Sequence, residues 1–255
     1  MKGILKNKLK NGEICLGHWN FLPYPEIISI IGLAEFDFTV IDMEHSFINL
    51  RDLPPMISAA ENNNLTALVR VPYLSSSNVL RALDSGAHGI VIPHCNNKED
   101  ANKTVQFSKY SPIGERGIGK STRSGGYSND HFSEYLSSEN ETSLLVFSLE
   151  SVKSSKNLFE ILEVELIDVI YLGIYDLSAS LGLPGQTDHP KVLKKLEKLV
   201  KTIRDHGKSA GTFTDTEDQA KKMIDIGVNF ITCKTDGTII RDAYAKVKQS
   251  IIKDK

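Results

Sequence analysis

The sequence predicts a (β/α)₈ barrel, a closed parallel sheet wrapped by helices, and three observations carry that expectation. Eight short apolar runs recur along 255 residues, most of them separated by helical patterns. The length suits one such barrel, so 1–255 reads as a single domain. No GxGxxG or GxxxxGKS/T signature follows any of the runs, which removes the usual support for the runner-up, a doubly wound open sheet.

The strand candidates are 14–18, 38–43, 66–71, 89–93, 143–149, 168–174, 208–213 and 229–234. Most are nearly continuous in Val, Ile, Leu and Phe, the pattern of strands buried on both faces. Helices are expected between them. Residues 25–32 open on Pro25 and stop at Gly32, residues 76–85 end at Gly86, and residues 97–109 carry alternating charges. Residues 190–206 place Val192, Leu193, Leu196, Leu199, Val200 and Ile203 on one stripe, with their lysines mainly on the solvated side. Residues 216–226 end at Gly227, and 238–252 close the chain. Residues 111–141 break the rhythm as a long polar connection, of the kind expected to be a lid, a binding loop or disordered, with Gly117, Gly119, Gly125 and Gly126 letting it bend close to a ligand.

Composition narrows the function. Apolar residues make up 40%, enough for a sizeable core, and the net charge of −2 argues against a nucleic-acid or anionic-membrane binder. No apolar run approaches the ~18–20 residues of a membrane span, and the lysine-dotted start lacks the apolar centre of a signal peptide. Cys15, Cys95 and Cys233 are odd in number and lack CxxC spacing, so reduced thiols in a cytoplasmic protein are expected.

A (β/α)₈ barrel builds its active site at the C-terminal strand ends. The polar residues there are Asp42, Glu44 and His45 after the second strand, Arg70 after the third and His94 after the fourth, then Glu150 and Asp176 after the fifth and sixth. Two carboxylates from separate strands, Glu150 and Asp176, can hold one hard divalent cation with water filling the rest. Arg70 offers a planar fork for a carboxylate or enolate oxygen. His45 can move a proton near neutral pH, and Asp42, three residues earlier, is placed to orient its ring.

At these residues the sequence resembles the HpcH/HpaI family of class II pyruvate aldolases. The matching stretches are VIDMEHS (40–46), VRVP (69–72), LDSGAHGIVIP (83–93), ERGIG (115–119), LES (149–151) and YLGIYDLSASLG (171–182), with Gly17 and Trp19 fitting a Gly-x-Trp opening. The resemblance implies a (β/α)₈ barrel, often with its last helix exchanged between subunits in a homo-oligomer, a trimer or hexamer. It implies Mg²⁺, Mn²⁺ or Co²⁺ on Glu150 and Asp176, Arg70 as the enolate's partner, His45 oriented by Asp42 as acid–base catalyst, and Asp84 reaching a neighbouring subunit's site. The implied reaction cleaves a 4-hydroxy-2-oxoacid to pyruvate and an aldehyde. A divalent ion and an Arg aimed at the developing enolate oxygen suit that chemistry. Lys234 alone among the strand-end residues is a lysine, which weakens an imine-forming alternative.

The chain departs from the family's pattern around the substrate. Ser148 stands where Gln is frequent, Ile174 where Pro is frequent, and Tyr175 where small residues are usual. All three are expected, with Arg70 and Asp176, to touch substrate. Three alternatives follow: decarboxylation of a 2-oxodiacid, cleavage of an acyl-CoA ester of the citrate-lyase β type with Arg116, Lys120 and Arg123 facing the phosphates, and a non-catalytic binding barrel.

Overall fold

The computed structural model describes residues 3–128 and 131–252. Its strands are β1 (Cys15–Asn20), β2 (Phe38–Asp42), β3 (Thr66–Arg70), β4 (Gly89–Ile92), β5 (Leu144–Leu149), β6 (Val169–Leu172), β7 (Ser209–Thr214) and β8 (Phe230–Thr235). Each pairs in parallel with the next, and β8 returns to β1, which closes the barrel. Helices α1 (Ile4–Lys10), α2 (Pro25–Leu33), α3 (Leu53–Asn62), α4 (Ser76–Asp84), α5 (Lys98–Ser108) and α6 (Phe132–Thr142) occupy the first half. They are followed by α7 (Val152–Lys156), α8 (Leu158–Leu162), α9 (Ile174–Ser180), α10 (Pro190–Asp205), α11 (Glu217–Asp225) and α12 (Asp236–Ile252). Among the described residues no helix is long and apolar enough to cross a membrane.

The strand period of two sorts the core into two clusters. Phe38, Val40, Leu68, Val146, Val169, Tyr171 and Phe230 pack together inside the barrel. Their strand neighbours Ile41, Val69, Leu145, Phe147, Ile170 and Ile231 join the helices in a larger outer cluster. The Phe38 and Phe230 rings stack with centroids 4.1 Å apart across the interior. Gly17 makes room for them: a Cβ there would lie 2.1 Å from the Phe38 ring. The same alternation carries upward to the site. On β2 it runs Phe38, Val40, Asp42; on β3, Leu68, Arg70; on β5, Val146, Ser148 and then Glu150. The residues that end each inward row are polar, so the barrel's packing rule delivers them to one rim.

Two expectations on extent are corrected. Residues 111–141 are not one unstructured connection, because α6 occupies their last part. That helix leaves Phe132, Tyr135 and Leu136 only partly buried; its buried residues are Glu139 and Asn140. Asn140 exchanges hydrogen bonds with the main chain of Tyr110, and the buried Lys109 ammonium donates to Asn140 O and Ser143 O, both at 2.9 Å. The sixth strand stops at Leu172 rather than running to Ile174, since Gly173 turns the chain into α9.

Candidate active site

The C-terminal ends of the strands enclose a cavity of about 280 Å³ whose lining includes His45, Arg70, Ser148, Glu150, Tyr175 and Asp176. It therefore brings together most of the residues expected at the site. Asp42 is fully buried just beneath and faces Arg70 in the β2–β3 register. The guanidinium donates from Nε to Asp42 Oδ1 at 2.9 Å and from Nη2 to Oδ2 at 2.5 Å, a bidentate pair. Nη1 lies 3.1 Å from Glu44 Oε2. Burial works against the Arg70 charge, and the hydrogen bonds and attraction of Asp42 overcome it, so its pKa is raised. The Trp19 ring backs the guanidinium, whose Cζ is 4.3 Å from the ring centroid. Trp19 is itself fixed by Nε1–H donation to Tyr171 Oη and Thr232 Oγ1, both at 2.9 Å.

This geometry corrects the role expected of Asp42. Its Oδ1 accepts the main-chain N–H of Glu44 at 2.8 Å and of His45 at 3.4 Å, so it caps the turn rather than the imidazole. The 42–45 spacing forms a short Asx turn. The His45 ring projects into the cavity's mouth, with Nε2 3.9 Å from Glu44 Oε2.

Glu150 and Asp176 flank Gly173. A Cβ on Gly173 would meet Glu150 Cγ at 3.0 Å, close enough that Glu150 would have to shift, and Asp176 Oδ2 at 3.5 Å, an ordinary contact. Asp176 sits in the first turn of α9, and Ser151 caps α7 directly after Glu150, so each acid stands beside a helix start. Burial pushes the Glu150 carboxyl above its ordinary range, opposed by His94 and Ser148 and reinforced by the nearby charges of Glu44 and Asp176. No group of three His, Cys, Asp or Glu side chains able to cage a metal occurs among the described residues. Two carboxylates that repel one another beside an open cavity suit a Mg²⁺-type ion, which keeps water or substrate oxygens as its other ligands.

Ser148, Ile174 and Tyr175 also line the cavity. Tyr175 turns its hydroxyl outward to Asp215 and lays its ring 6.1 Å from that of Phe213. Burial and the Asp215 carboxylate push the Tyr175 phenol well above its ordinary value. Phe21, Phe213 and Thr235 complete the wall and were absent from the expected set. Phe213 ended a predicted strand, which was its only signal. Asp84 is not in this cavity. Its Oδ1 takes the Arg116 Nη2 hydrogen bond at 2.8 Å, and it borders a separate open groove with Arg81 and Arg123. Two of the cations offered for CoA phosphates are committed elsewhere: Arg116 is buried against Asp84, and Arg123 is paired with Glu61. Only Lys120 of the three stays exposed.

The model of the HpcH/HpaI aldolase/citrate lyase family matches residues 16–243. The chain belongs to that family. Family membership makes it a carbon–carbon lyase of the aldolase kind. The chain is 32% identical over 242 residues to a 2-keto-3-deoxy-L-rhamnonate aldolase of Escherichia coli K12, covering 93% of this chain and 89% of that one. An HpcH/HpaI aldolase from Desulfitobacterium hafniense superposes with a TM-score of 0.90 at 31% identity, covering 97% and 96% of the two chains. The citrate synthase SbnG superposes with a TM-score of 0.86 at 30% identity, covering 98% of each.

Proposed function

We propose that this protein is a divalent-metal-dependent aldolase that reversibly cleaves a 4-hydroxy-2-oxoacid to pyruvate and an aldehyde. The observation that carries the reading is one cavity holding a half-buried, preset guanidinium beside two carboxylates from adjacent strand ends, with an imidazole at its mouth. Glu150 and Asp176 would hold the cation, and Mg²⁺, Mn²⁺ and Co²⁺ all accept such an oxygen-rich pair. Bound there, the ion would supply a Lewis acid for the oxygens of a 2-oxoacid.

The chain's own residues do the rest. Arg70 presents fixed positive charge to the oxygen that becomes negative when the C3–C4 bond breaks. Asp42 and Trp19 keep it in place, so little reorganisation accompanies the charge shift. His45 takes the C4 hydroxyl proton in cleavage and returns one in condensation. Ser148 reaches the same space with a short hydroxyl. Tyr175 and Phe213 wall the side left for the aldehyde, and with the Tyr175 hydroxyl engaged by Asp215 that wall is largely apolar. The acyl-CoA alternative loses support, because two of its three phosphate partners are committed to ion pairs.

Assembly is the second part of the reading. From Arg241 to Ile252 every residue of α12 is exposed, including Tyr244, Val247 and Ile251. With Ile240 these form an apolar stripe of helical spacing that this chain leaves uncovered. A second copy that receives this helix fits a homo-oligomer, a trimer or hexamer. The three unpaired thiols suit a reducing, cytoplasmic setting.

Deuterium exchange into pyruvate, followed by NMR with EDTA and with Mn²⁺, tests the chemistry without knowledge of the aldehyde. Loss of the methyl protons only with metal supports the reading. Absence of exchange with every metal and with added aldehyde overturns it.

A further inference from the structure

We propose that His94 is a positioning residue for the cation site: it clamps Glu150 and Glu44 from the end of β4, so that Glu150 meets the metal as a preset ligand. The inference rests on the metal-dependent reading above and adds to it a residue to which neither spacing nor resemblance gave a role.

The geometry is specific. His94 Nδ1 lies 2.6 Å from Glu150 Oε2, and Nε2 lies 2.7 Å from Glu44 Oε1. The main-chain N–H of His94 also donates to Glu150 Oε2 at 3.3 Å. One residue therefore grips the same carboxylate oxygen twice, once through its ring and once through its backbone. The grip continues inward, because Glu44 Oε2 faces Arg70 Nη1 and Arg70 is held by Asp42. Carboxylates alternate with nitrogen-bearing side chains along this row: Asp42, Arg70, Glu44, His94, Glu150. It links the ends of four successive strands, β2 to β5.

The backbone is arranged to present the ring. His94 sits at φ 55°, a left-handed conformation that side-chain-bearing residues rarely adopt and that recurs where a site requires it. The turn is fastened on both sides. Cys95 N–H donates to Ser148 O at 3.2 Å, which extends the β4–β5 pairing past the end of β4. Asn96 donates from Nδ2 to His94 O at 2.6 Å, and Asn157 donates to Asn96 O at 2.9 Å. A carboxylate whose orientation is fixed by such partners loses less freedom when it takes a cation, and removing the partners weakens metal sites by about 10–100-fold.

The test is Mn²⁺ binding by titration calorimetry on the full chain at one fixed pH. His94→Gly deletes the ring while suiting the left-handed backbone. His94→Asn keeps a donor near the Nδ1 position and also tolerates that backbone. The expected result is Mn²⁺ affinity weakened at least about tenfold in His94→Gly and largely restored in His94→Asn. Lyase activity lost in His94→Gly should return at saturating Mn²⁺ while its metal-free Tm stays near the parent's, which separates a weakened site from a destabilised barrel. Unchanged or tighter Mn²⁺ binding in His94→Gly overturns the proposal. Glu150→Gln separates the two readings. If it binds Mn²⁺ as the parent protein does, the metal reading fails and this one with it. If it loses Mn²⁺ while His94→Gly keeps it, only the positioning role falls.

Discussion

Arg70 and Asp42 lie opposite one another in the β2–β3 register and meet through two parallel hydrogen bonds, with Asp42 fully buried. The arginine is therefore part of the barrel's ladder as much as of its cavity, and its position follows from strand pairing.

Replacing it tests catalysis directly. Arg70→Ala is expected to lower kcat at least about 10²-fold, the scale of losing one preorganised partner for a developing oxyanion. Arg70→Lys should recover little, because an ammonium cannot reproduce the bidentate fork. Steady-state rates of pyruvate release check both. A change confined to KM would mean that Arg70 binds ground and transition states alike.

Glu150 links the site to stability. Its carboxyl is raised by burial, and further by the charges of Glu44 and Asp176. An acid with a raised folded pKa stabilises the fold below its unfolded value, about 4.3, and that contribution is lost as pH rises through the folded value. The metal-free protein should thus lose stability over that window, and Glu150→Gln should escape the loss. Mn²⁺ at about 100 times its Kd should stabilise the parent protein by about 2.7 kcal/mol and raise Tm by several degrees. Thermal melts across pH, with and without Mn²⁺, decide the matter. Equal Mn²⁺ stabilisation of both proteins would remove Glu150 from the ligand set.

Gly173 is expected to matter for what it lacks. Its φ of −68° is open to alanine, so Gly173→Ala should fold. The new Cβ, 3.0 Å from Glu150 Cγ, must push that acid aside. Mn²⁺ affinity should fall about tenfold or more with Tm nearly unchanged. Calorimetry that finds parent-like binding would show that the site tolerates the shift of Glu150.

The last helix carries the prediction on assembly. A chain ending at Gly237 keeps all eight strands and loses the exposed stripe of α12. Light scattering on the eluting protein should report a smaller particle than the full chain forms. If both chains have the same number of subunits, the stripe serves another purpose.

The eight strands were legible because doubly buried parallel strands are written as apolar runs. Helices were read from an apolar stripe in α10, from Pro25 and Gly32 in α2 and from alternating charges in α5, whereas α3 went unread although Leu53, Met56, Ile57 and Ala60 share one face. Helix α6 buries Glu139 and Asn140 instead, and polar partners for Lys109, Tyr110 and Arg116 leave no periodic trace. At the site, spacing along the chain identified which acids and cations stand at strand ends, but not their pairings. Asp42 was assigned to His45 because they are three residues apart. It belongs to Arg70 because strands β2 and β3 lie side by side, a relation between distant segments. Gly173 lay within the matching stretch 171–182 but received no role, since its contribution is an absent atom.

Closure of the barrel has a consequence for synthesis. The strand pair that seals it joins Cys15 and Leu16 to Phe230 and Ile231, so the first strand made waits for the last. Long-range pairings of this kind are slow to form and leave strand edges bare meanwhile. On the ribosome, β1 must remain unsealed until nearly the whole chain has emerged. The nascent protein should therefore depend on chaperones until its final strand arrives, and shortened translation products should aggregate rather than act.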